Sequence, residues 1–453
     1  MFFRLYLPLF LFTTTLCLFF HQGRSWNVDS RLLTVYAVVE DHRLMADHWR
    51  GETGDLATID GHIYSDKAPL SSFLVIPAYW VYRTFLHKMP PGAVDKEGAN
   101  HCGILVASAI PFAVFTALVF SRVRRRASSA SAAVWITLLG VYGTCLFNYG
   151  TIFYGHILAA AFFVGAYSLA VDREKYFFLA GFLGAAAVLT EYTLALTQVC
   201  MCLYLLTGPR KVRRLGLYVL GALPGALLML GYNYAITGKP LDFPYNHVSD
   251  AFAPMKTAFG IRLPSAEAAW ELLFGQYRGL AFYAPTMLVL VPAIAYLFDG
   301  ATRRRNFAIG MMTLYFLFVT SYFKWDGGWC LGPRHLSPVI ALATYEGAGA
   351  LAGVKRGRLL FLGLGLWGTF LTLCGSATDP IPAENFKQPF FEIFFPRAMK
   401  GEFNDHAFLF EFLKIRRAPY FLGIWFGMLL AFGLALTLLY RWARKRELAR
   451  LAG

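Results

Sequence analysis

The chain has 453 residues and a mass of 50.7 kDa, which is long enough for two or three ordinary soluble domains. Its composition excludes them, because 57% of the residues are hydrophobic and only 15% are charged, against about 25% in a typical soluble domain. We therefore expect an integral membrane protein. The net charge of +15 does not indicate a nucleic-acid partner, since the basic residues lie in short loops between apolar segments.

Twelve segments are apolar enough for membrane helices, which need about 20 residues. In chain order they are residues 3–20, 102–120, 131–149, 156–171, 176–193, 194–207, 215–236, 281–298, 307–323, 336–353, 359–375 and 420–440. A further stretch, 71–86, is short and contains Pro77 and Arg83, so we expect it to lie at the membrane surface. The sequence thus predicts one all-α polytopic domain, residues 1–453, with about 12 transmembrane helices.

The loops between these segments differ in charge. Basic clusters occur at residues 122–126, 172–175, 209–214, 303–305, 355–358 and 441–450, and all fall on one side if 71–86 does not span. The positive-inside rule makes that side, with both termini, cytoplasmic. The first segment has no Ala-x-Ala-type cleavage site, so we expect a retained helix instead of a signal peptide.

The long loops, 21–101, 237–280 and 377–418, then lie on the outer face with a short loop at 324–335. Inner loops are only a few residues long, so we expect the functional site outside. The first outer loop, 21–101, is predicted to carry interfacial helices.

Acids are dense in that first outer loop, and a partly buried carboxylate at the membrane boundary can act as a general base. Asp29 is the main candidate because it begins the helical stretch 29–40, although it could simply cap that helix. Glu40 and Asp60 are candidates for a second acid. The alternative for all of them is a solvated loop in which the acids have no catalytic role.

Basic residues outside the membrane suit a phosphate. Lys67 precedes the stretch 71–86 and could reach phosphate oxygens, or it could extend to the lipid headgroups as ordinary membrane lysines do. Arg278, in the string 274–285, has the same two interpretations.

The most specific string is 325–338, Trp-Asp-Gly-Gly-Trp-Cys-Leu-Gly-Pro-Arg-His-Leu-Ser-Pro. Its glycines let the backbone approach a ligand closely. Trp325 and Trp329 offer flat faces for a sugar ring, and Arg334 offers a planar fork for a phosphate, with His335 next to it. The alternative is an aromatic belt with a membrane-anchoring arginine.

The sequence contains no cofactor motif. It has neither a Cys-x-x-Cys pair nor an Asp-x-Asp string, and no residues have metal-ligand spacing. We expect no certain cofactor, although so many outer acids leave a divalent metal open.

Two further strings carry a family resemblance. Asp29-Ser-Arg31 follows the first membrane segment, and Tyr64-Ser-Asp-Lys-Ala-Pro-Leu70 precedes the interfacial stretch. In this order they resemble the polyprenyl-phosphate-dependent glycosyltransferases of the GT-C fold, above all the aminoarabinose transferase of lipid A and the protein O-mannosyltransferases. The strings 275–285 and 325–338 are similar to a large bacterial branch of that superfamily.

The resemblance implies a site and a location, the bacterial inner membrane. Asp29 matches the catalytic aspartate that activates the acceptor, and Lys67 matches the lysine that meets the lipid-linked phosphate. Arg31 and Tyr64 belong to the matching strings and are expected to contact substrate. Ser30 stands where the family has a second acid, so another carboxylate would have to substitute for it.

We therefore expect an enzyme that moves a sugar from a polyprenyl phosphate to a hydroxyl of a lipid, glycan or protein, with inversion, on the extracytoplasmic face. The alternative is a flippase or transporter of lipid-linked sugars. A transporter should show internal repeats and charges in the middle of its helices, whereas the polar residues here gather on one face.

Overall fold

The structure is a computed structural model that describes residues 2–88, 90, 93–297, 302–415 and 421–452. Phe298 and Tyr420, the end residues of two predicted membrane segments, lie outside the described residues. Helices dominate the described chain, and the one sheet in it has two strands.

The first ten helices are α1 (Phe2–Phe19), α2 (Trp26–Glu40), α3 (Leu70–Val81), α4 (Lys96–Ile104), α5 (Ile110–Arg124), α6 (Ala130–Tyr142), α7 (Leu146–Gly150), α8 (His156–Tyr167), α9 (Phe177–Thr190) and α10 (Ala195–Leu206). The remaining ten are α11 (Lys211–Thr237), α12 (Ala266–Phe274), α13 (Leu280–Tyr283), α14 (Met287–Tyr296), α15 (Thr302–Thr320), α16 (Ser337–Ala352), α17 (Arg358–Thr378), α18 (Phe395–Met399), α19 (Phe408–Glu411) and α20 (Phe421–Ala452). The strands are β1 (Leu56–Ile59) and β2 (His62–Ser65). Short π-helical turns extend α3 (Tyr82–Leu86), join α4 to α5 (Leu105–Ala109) and extend α8 (Ser168–Asp172).

Each predicted membrane segment coincides with helix in the described chain. By length and composition, four of the described helices could cross a membrane: Lys96–Arg124, Lys211–Thr237, Arg358–Thr378 and Leu422–Ala443. Six further apolar helices have 10–17 residues. The chain is thus a helical membrane protein, but the structure does not establish the predicted number of twelve spans.

Polar contacts bring several of the predicted basic loops to one end of the helices, called the basic end. Arg125 pairs with Asp172, Arg214 pairs with Glu174 at 2.7 Å, and Arg358 donates to Ser128 Oγ at 3.1 Å. α8 runs towards the basic end, because its first residue, His156, lines a cavity at the other end and Asp172 in its extension lies at the basic end. α17 runs the opposite way, from Arg358 at the basic end to Thr378 at the cavity.

α16 is the central helix of the bundle. Every residue from Ser337 to Ala352 is buried, which fits a mainly apolar helix that is enclosed by its neighbours. Small residues allow the close packing, since a Cβ on Gly347 would lie 2.5 Å from the Leu290 carbonyl oxygen of α14.

The first outer loop contains the two predicted interfacial helices and one element that the all-α prediction missed. α2 begins at Trp26, three residues before the predicted start, and packs on α3. An ion pair of 2.5 Å between Glu40, at the end of α2, and Arg83, in the turn that extends α3, joins the ends of the two helices. Between them, β1 and β2 form an antiparallel hairpin with Ile59 opposite His62. Its two-residue turn, Asp60-Gly61, has φ values of 50° and 83°, as a type I′ turn requires.

Candidate active site

A cavity of about 920 Å³ opens among the loops at the end opposite the basic end. Residues from the first outer loop, from the loops before α8 and α16, and from the segments after α11 and α17 line it. Six arginines and lysines are on its wall: Arg24, Arg31, Lys67, Lys324, Arg334 and Arg397. Its size suits a small organic ligand.

The hairpin places two carboxylates around one lysine on this wall. The strand register pairs Leu56 with Ser65, so one step further Asp55 faces Asp66. Lys67 Nζ lies 2.6 Å from Asp55 and 2.9 Å from Asp66. Asp55 and Lys67 line the cavity, whereas Asp66 is almost completely buried behind them. We call Asp55, Asp66 and Lys67 the hairpin triad.

The two carboxylates of the triad differ in acidity. Burial and the charge of Asp55 raise the pKa of Asp66 to about 6, against the opposing effects of Lys67 and of the Ser30 hydroxyl, which donates to it at 2.8 Å. Burial also raises the pKa of Asp55, but Lys67, the hydrogen bond with Asp66 and the charge of Arg334 outweigh it and leave the pKa below its ordinary value. At neutral pH the triad therefore offers a carboxylate to the cavity.

Arg334 differs from the other cations of the cavity. Lys67, Arg31, Lys324, Arg397 and Arg24 each pair with a carboxylate, at distances from 2.6 to 3.4 Å. The Arg334 guanidinium has no hydrogen bond or ion pair with any described residue; it stacks over Tyr154 at 5.6 Å. Arg334 thus presents an unneutralised charge to the cavity, as an anion site requires.

Loop geometry positions Arg334. Gly327 has a φ of 75°, and a Cβ there would lie 2.9 Å from Arg334 Cγ, so the arginine extends over a position that only glycine leaves open. Next to it, burial and then the charge of Arg334 lower the pKa of His335, so its imidazole is neutral.

Five predicted site residues lie on the cavity wall: Arg31, Lys67, Trp329, Arg334 and His335. Arg31 pairs with Glu191 at 2.9 Å and donates to Asn27. Trp329 is 58% exposed and leaves an aromatic face open to a ligand.

The three predicted acids do not line the cavity. The Asp29 carboxylate accepts from Arg24 at 2.6 Å, and Arg24 stands on the wall in its place. Burial raises the pKa of Asp29 despite that pairing. Glu40 is held by Arg83, and Asp60 is an exposed turn residue whose positive φ explains its presence in the sequence.

Three other predicted residues, Tyr64, Trp325 and Arg278, do not line the cavity and make packing or anchoring contacts elsewhere. Tyr64 packs with Ile59 and Tyr232 in a small apolar cluster. Trp325 packs against the main core and borders a second, 540 Å³ pocket.

Arg278, predicted to bind phosphate, is fully buried and donates to the carbonyl oxygens of Asp326 at 2.8 Å and Gly328 at 2.6 Å. Its guanidinium also lies 3.8 Å from the centre of the Tyr277 ring. These contacts hold the loop 325–338 in place, so Arg278 supports the cavity without lining it.

Comparison with known proteins gives a likeness in fold only. No protein-family model and no curated protein matches the sequence. ArnT from Cupriavidus metallidurans bound to undecaprenyl phosphate aligns with a TM-score of 0.56 and 17% identity, over 96% of this chain and 72% of its own. The chain has the GT-C fold.

The GT-C fold was the predicted one. The apo state of the same ArnT aligns over the same shares, with 14% identity and a TM-score of 0.55. Archaeal oligosaccharyltransferase AglB from Archaeoglobus fulgidus, in complex with an inhibitory peptide and a dolichol-phosphate, aligns with a TM-score of 0.46 and 13% identity. The alignment covers 84% of this chain and 56% of that one.

Proposed function

We propose that this protein is a membrane glycosyltransferase that moves a sugar from a polyprenyl phosphate to an acceptor hydroxyl in the 920 Å³ cavity. The observation that carries the proposal is the pairing of an anion site with a base on one wall: Arg334 has no described ionic partner, and Asp55 lies within range of its charge. The fold supports it, since ArnT, which shares the fold, was solved with undecaprenyl phosphate bound.

Arg334 is the group we assign to the donor phosphate. Its planar fork can bind two phosphate oxygens at once, and it gives up no ion pair when it does so. As the bond between the sugar and the phosphate breaks, negative charge grows on the departing oxygen, and a fixed cation in a partly dry site stabilises that charge. Lys67 could assist, although Asp55 and Asp66 already bind it.

Asp55 is the carboxylate we assign as general base, in place of Asp29. It accepts the proton of the acceptor hydroxyl while that oxygen bonds to the anomeric carbon. The carbon–oxygen bond to the phosphate breaks with its electron pair, so attack from the opposite face inverts the anomeric carbon. Asp66 can share the proton that Asp55 receives, because both carboxylates contact Lys67 Nζ and the pKa of Asp66 is raised to about 6.

The proposed orientation places the cavity on the extracytoplasmic side of a bacterial inner membrane and both termini in the cytoplasm. The clustering of basic loops at the opposite end supports it. Single cysteines at Asp60, an exposed turn residue, and at Arg305, in a chain with its native cysteines replaced, should react from outside and from inside, respectively. Reaction of the Asp60 position from the cytoplasm would reverse the orientation.

The decisive experiment compares two aspartates. Purified protein is incubated with polyprenyl-phosphate sugars and a lipid extract, and mass spectrometry detects released polyprenyl phosphate and the glycosylated product. Asp55→Asn should lower the rate by about 10²–10⁴-fold, the usual contribution of a general base. Asp29→Asn, which removes one of the carboxylates that Arg24 contacts and leaves Glu97 at 3.2 Å, should lower it by about tenfold or less.

Each result has a clear consequence. Equal, large losses in both variants would return the role of base to Asp29. Near-normal transfer by Asp55→Asn would remove Asp55 from the mechanism. Movement of intact lipid-linked sugar across vesicles, with no release of polyprenyl phosphate, would show a flippase instead.

A further inference from the structure

A second group of polar side chains lies beside the cavity and has no role in the proposed transfer. His21 follows α1, His101 is in α4, and Glu411 ends α19. Nε2 of His21 lies 2.6 Å and Nε2 of His101 lies 3.3 Å from the same oxygen, Oε2 of Glu411. The three donor atoms lie within 4.8 Å of one another, which makes this the one such trio of His, Cys, Asp or Glu found among the described residues.

The hydrogen bonds of His21 leave a gap in its contact with Glu411. Nδ1 lies 2.9 Å from the carbonyl oxygen of Leu18, which can only accept, so the proton of a neutral imidazole is on Nδ1. Nε2 then points a lone pair at a carboxylate oxygen 2.6 Å away. Because two lone pairs repel, a positive centre must lie between them. That centre is either a second proton, which makes His21 an imidazolium, or a metal ion.

His101 favours the metal. Its Nε2 is buried and has no hydrogen-bond partner in the described part of the chain, yet it faces the same carboxylate oxygen. A single added proton on His21 would explain its contact with Glu411 but would leave Nε2 of His101 without a partner. A metal ion explains both contacts, since two imidazole nitrogens and a carboxylate oxygen are common ligands of divalent transition metals.

We propose that His21, His101 and Glu411 bind a divalent transition metal, with Zn²⁺ as the best fit, and that a water or a cavity ligand takes the fourth position. Bonds of about 2.0–2.2 Å separate tetrahedral ligand atoms by roughly 3.4 Å, so small side-chain rotations suffice. Phe412 packs against both imidazoles, with ring centres 6.0 Å apart, and gives the site an apolar neighbour.

Such a metal would fasten one wall of the cavity. The residues before α19, from Glu402 to His406, line the cavity, and Asn404 donates to Gln22 Oε1 at 2.6 Å. Gln22 directly follows His21. The metal would therefore tie the end of α1, the last turn of α4 and this wall segment together, whether or not the cavity transfers sugars.

The test measures the metal without any transfer reaction. Full-length protein, purified in detergent and stripped with a chelator, is dialysed against Zn²⁺ and its metal content is measured by mass spectrometry. We expect about one Zn²⁺ per chain, a rise in unfolding temperature on adding Zn²⁺, and a visible absorption band with Co²⁺ typical of a low-symmetry site. His101→Ala and Glu411→Gln should weaken binding at least 100-fold, because each removes a ligand.

The matched control is His62→Ala. His62 also contacts a carboxylate, Asp47, at 2.7 Å, but no third ligand from the described part of the chain joins that pair, so its removal should leave metal content unchanged. Equal unfolding temperatures of wild type and His101→Ala in chelator establish that the variant folds; if it does not, Glu411→Gln carries the test. If the wild-type protein bound no more Zn²⁺ than His101→Ala and Glu411→Gln, the proposal would be overturned. The three residues would then form an ion pair that holds a proton.

Discussion

At the basic end, Arg304 donates to Glu346 Oε1 at 2.8 Å and to Oε2 at 2.6 Å, whereas at the cavity Arg334 contacts no carboxylate in the described chain. Arg304 is buried and Arg334 is partly buried. Arg122 and Asp172 complete the first group, which joins α5, α8, α15 and α16, and we call these four residues the closed cluster.

The difference separates structural charge from functional charge. In the closed cluster, each arginine meets carboxylates from other helices, so the group links helices and has nothing left for a ligand. In the cavity, one cation is left over and a base lies near it. A high density of charged residues marks both regions as candidate functional sites. The regions differ in whether every arginine has a carboxylate partner.

The largest effect should follow from opening the closed cluster. Glu346→Gln leaves Arg304 and Arg122 buried without their shared carboxylate, so the free energy of unfolding should fall by about 3–5 kcal/mol. Denaturant unfolding in mixed detergent micelles measures it. Transfer per folded molecule should stay unchanged; a selective loss of transfer with normal stability would show that the closed cluster is functional.

The second effect concerns the unpaired cation. Arg334→Ala should lower the rate of transfer by about 10²–10³-fold, as the loss of one transition-state donor does, with unfolding unchanged. Arg334→Lys should recover part of it, since it keeps the charge but loses the fork. Initial rates against donor concentration measure the effect.

Arg397→Ala is the matched control for Arg334. Arg397 also lines the cavity, but it pairs with Asp379 at 3.4 Å and is more exposed. Its loss should cost less than tenfold. Equal losses for the two arginines would mean that the missing partner of Arg334 has no functional meaning.

The third effect is a pH dependence of the cavity. Asp66 has a pKa raised to about 6, so below that value Asp66 is protonated, whereas Asp55 stays ionised but accepts a hydrogen bond from Asp66 and becomes a weaker base. The rate at low substrate should therefore drop from a level above about pH 6 to a lower level below it. Ser30→Ala removes a hydroxyl that stabilises the ionised form and should move this limb to higher pH. An unchanged limb in Ser30→Ala would assign it to another group.

The smallest effect is expected at the mouth of the cavity. Trp329→Ala should raise the KM of one substrate by about two- to tenfold and leave kcat alone, as the loss of an exposed aromatic contact does. Steady-state kinetics with each substrate varied in turn identifies which one it contacts. A fall in kcat without a change in KM would contradict a binding role.

The sequence predicted the fold well because apolar runs and basic loops reflect a physical constraint of the bilayer. α11 and α17 follow directly from their hydropathy. It also pointed to Arg334 and Lys67, which line the cavity, through the glycine-rich string 325–338 and the family-like string 64–70. Neither prediction needed a long-range contact.

The rest of the site depended on pairings that periodicity does not show. Asp55 carried no special signal beyond its place before a four-residue strand and the turn Asp60-Gly61, which fixes the register. The pairing of Asp29 with Arg24 could not be foreseen either, and the role of Asp29 as a base stays a prediction. Arg278 looked like a ligand because the carbonyl groups that bind it come from a distant loop.

The hairpin turn also limits how the chain can vary. Side chains along a strand alternate between its faces, so one inserted residue between Asp55 and Asp66 would turn one carboxylate away from the other. The ten residues between Asp55 and Asp66 are therefore the number that keeps the two carboxylates side by side. Substitutions on the exposed side of the strands should be tolerated freely, whereas a change in their length should not.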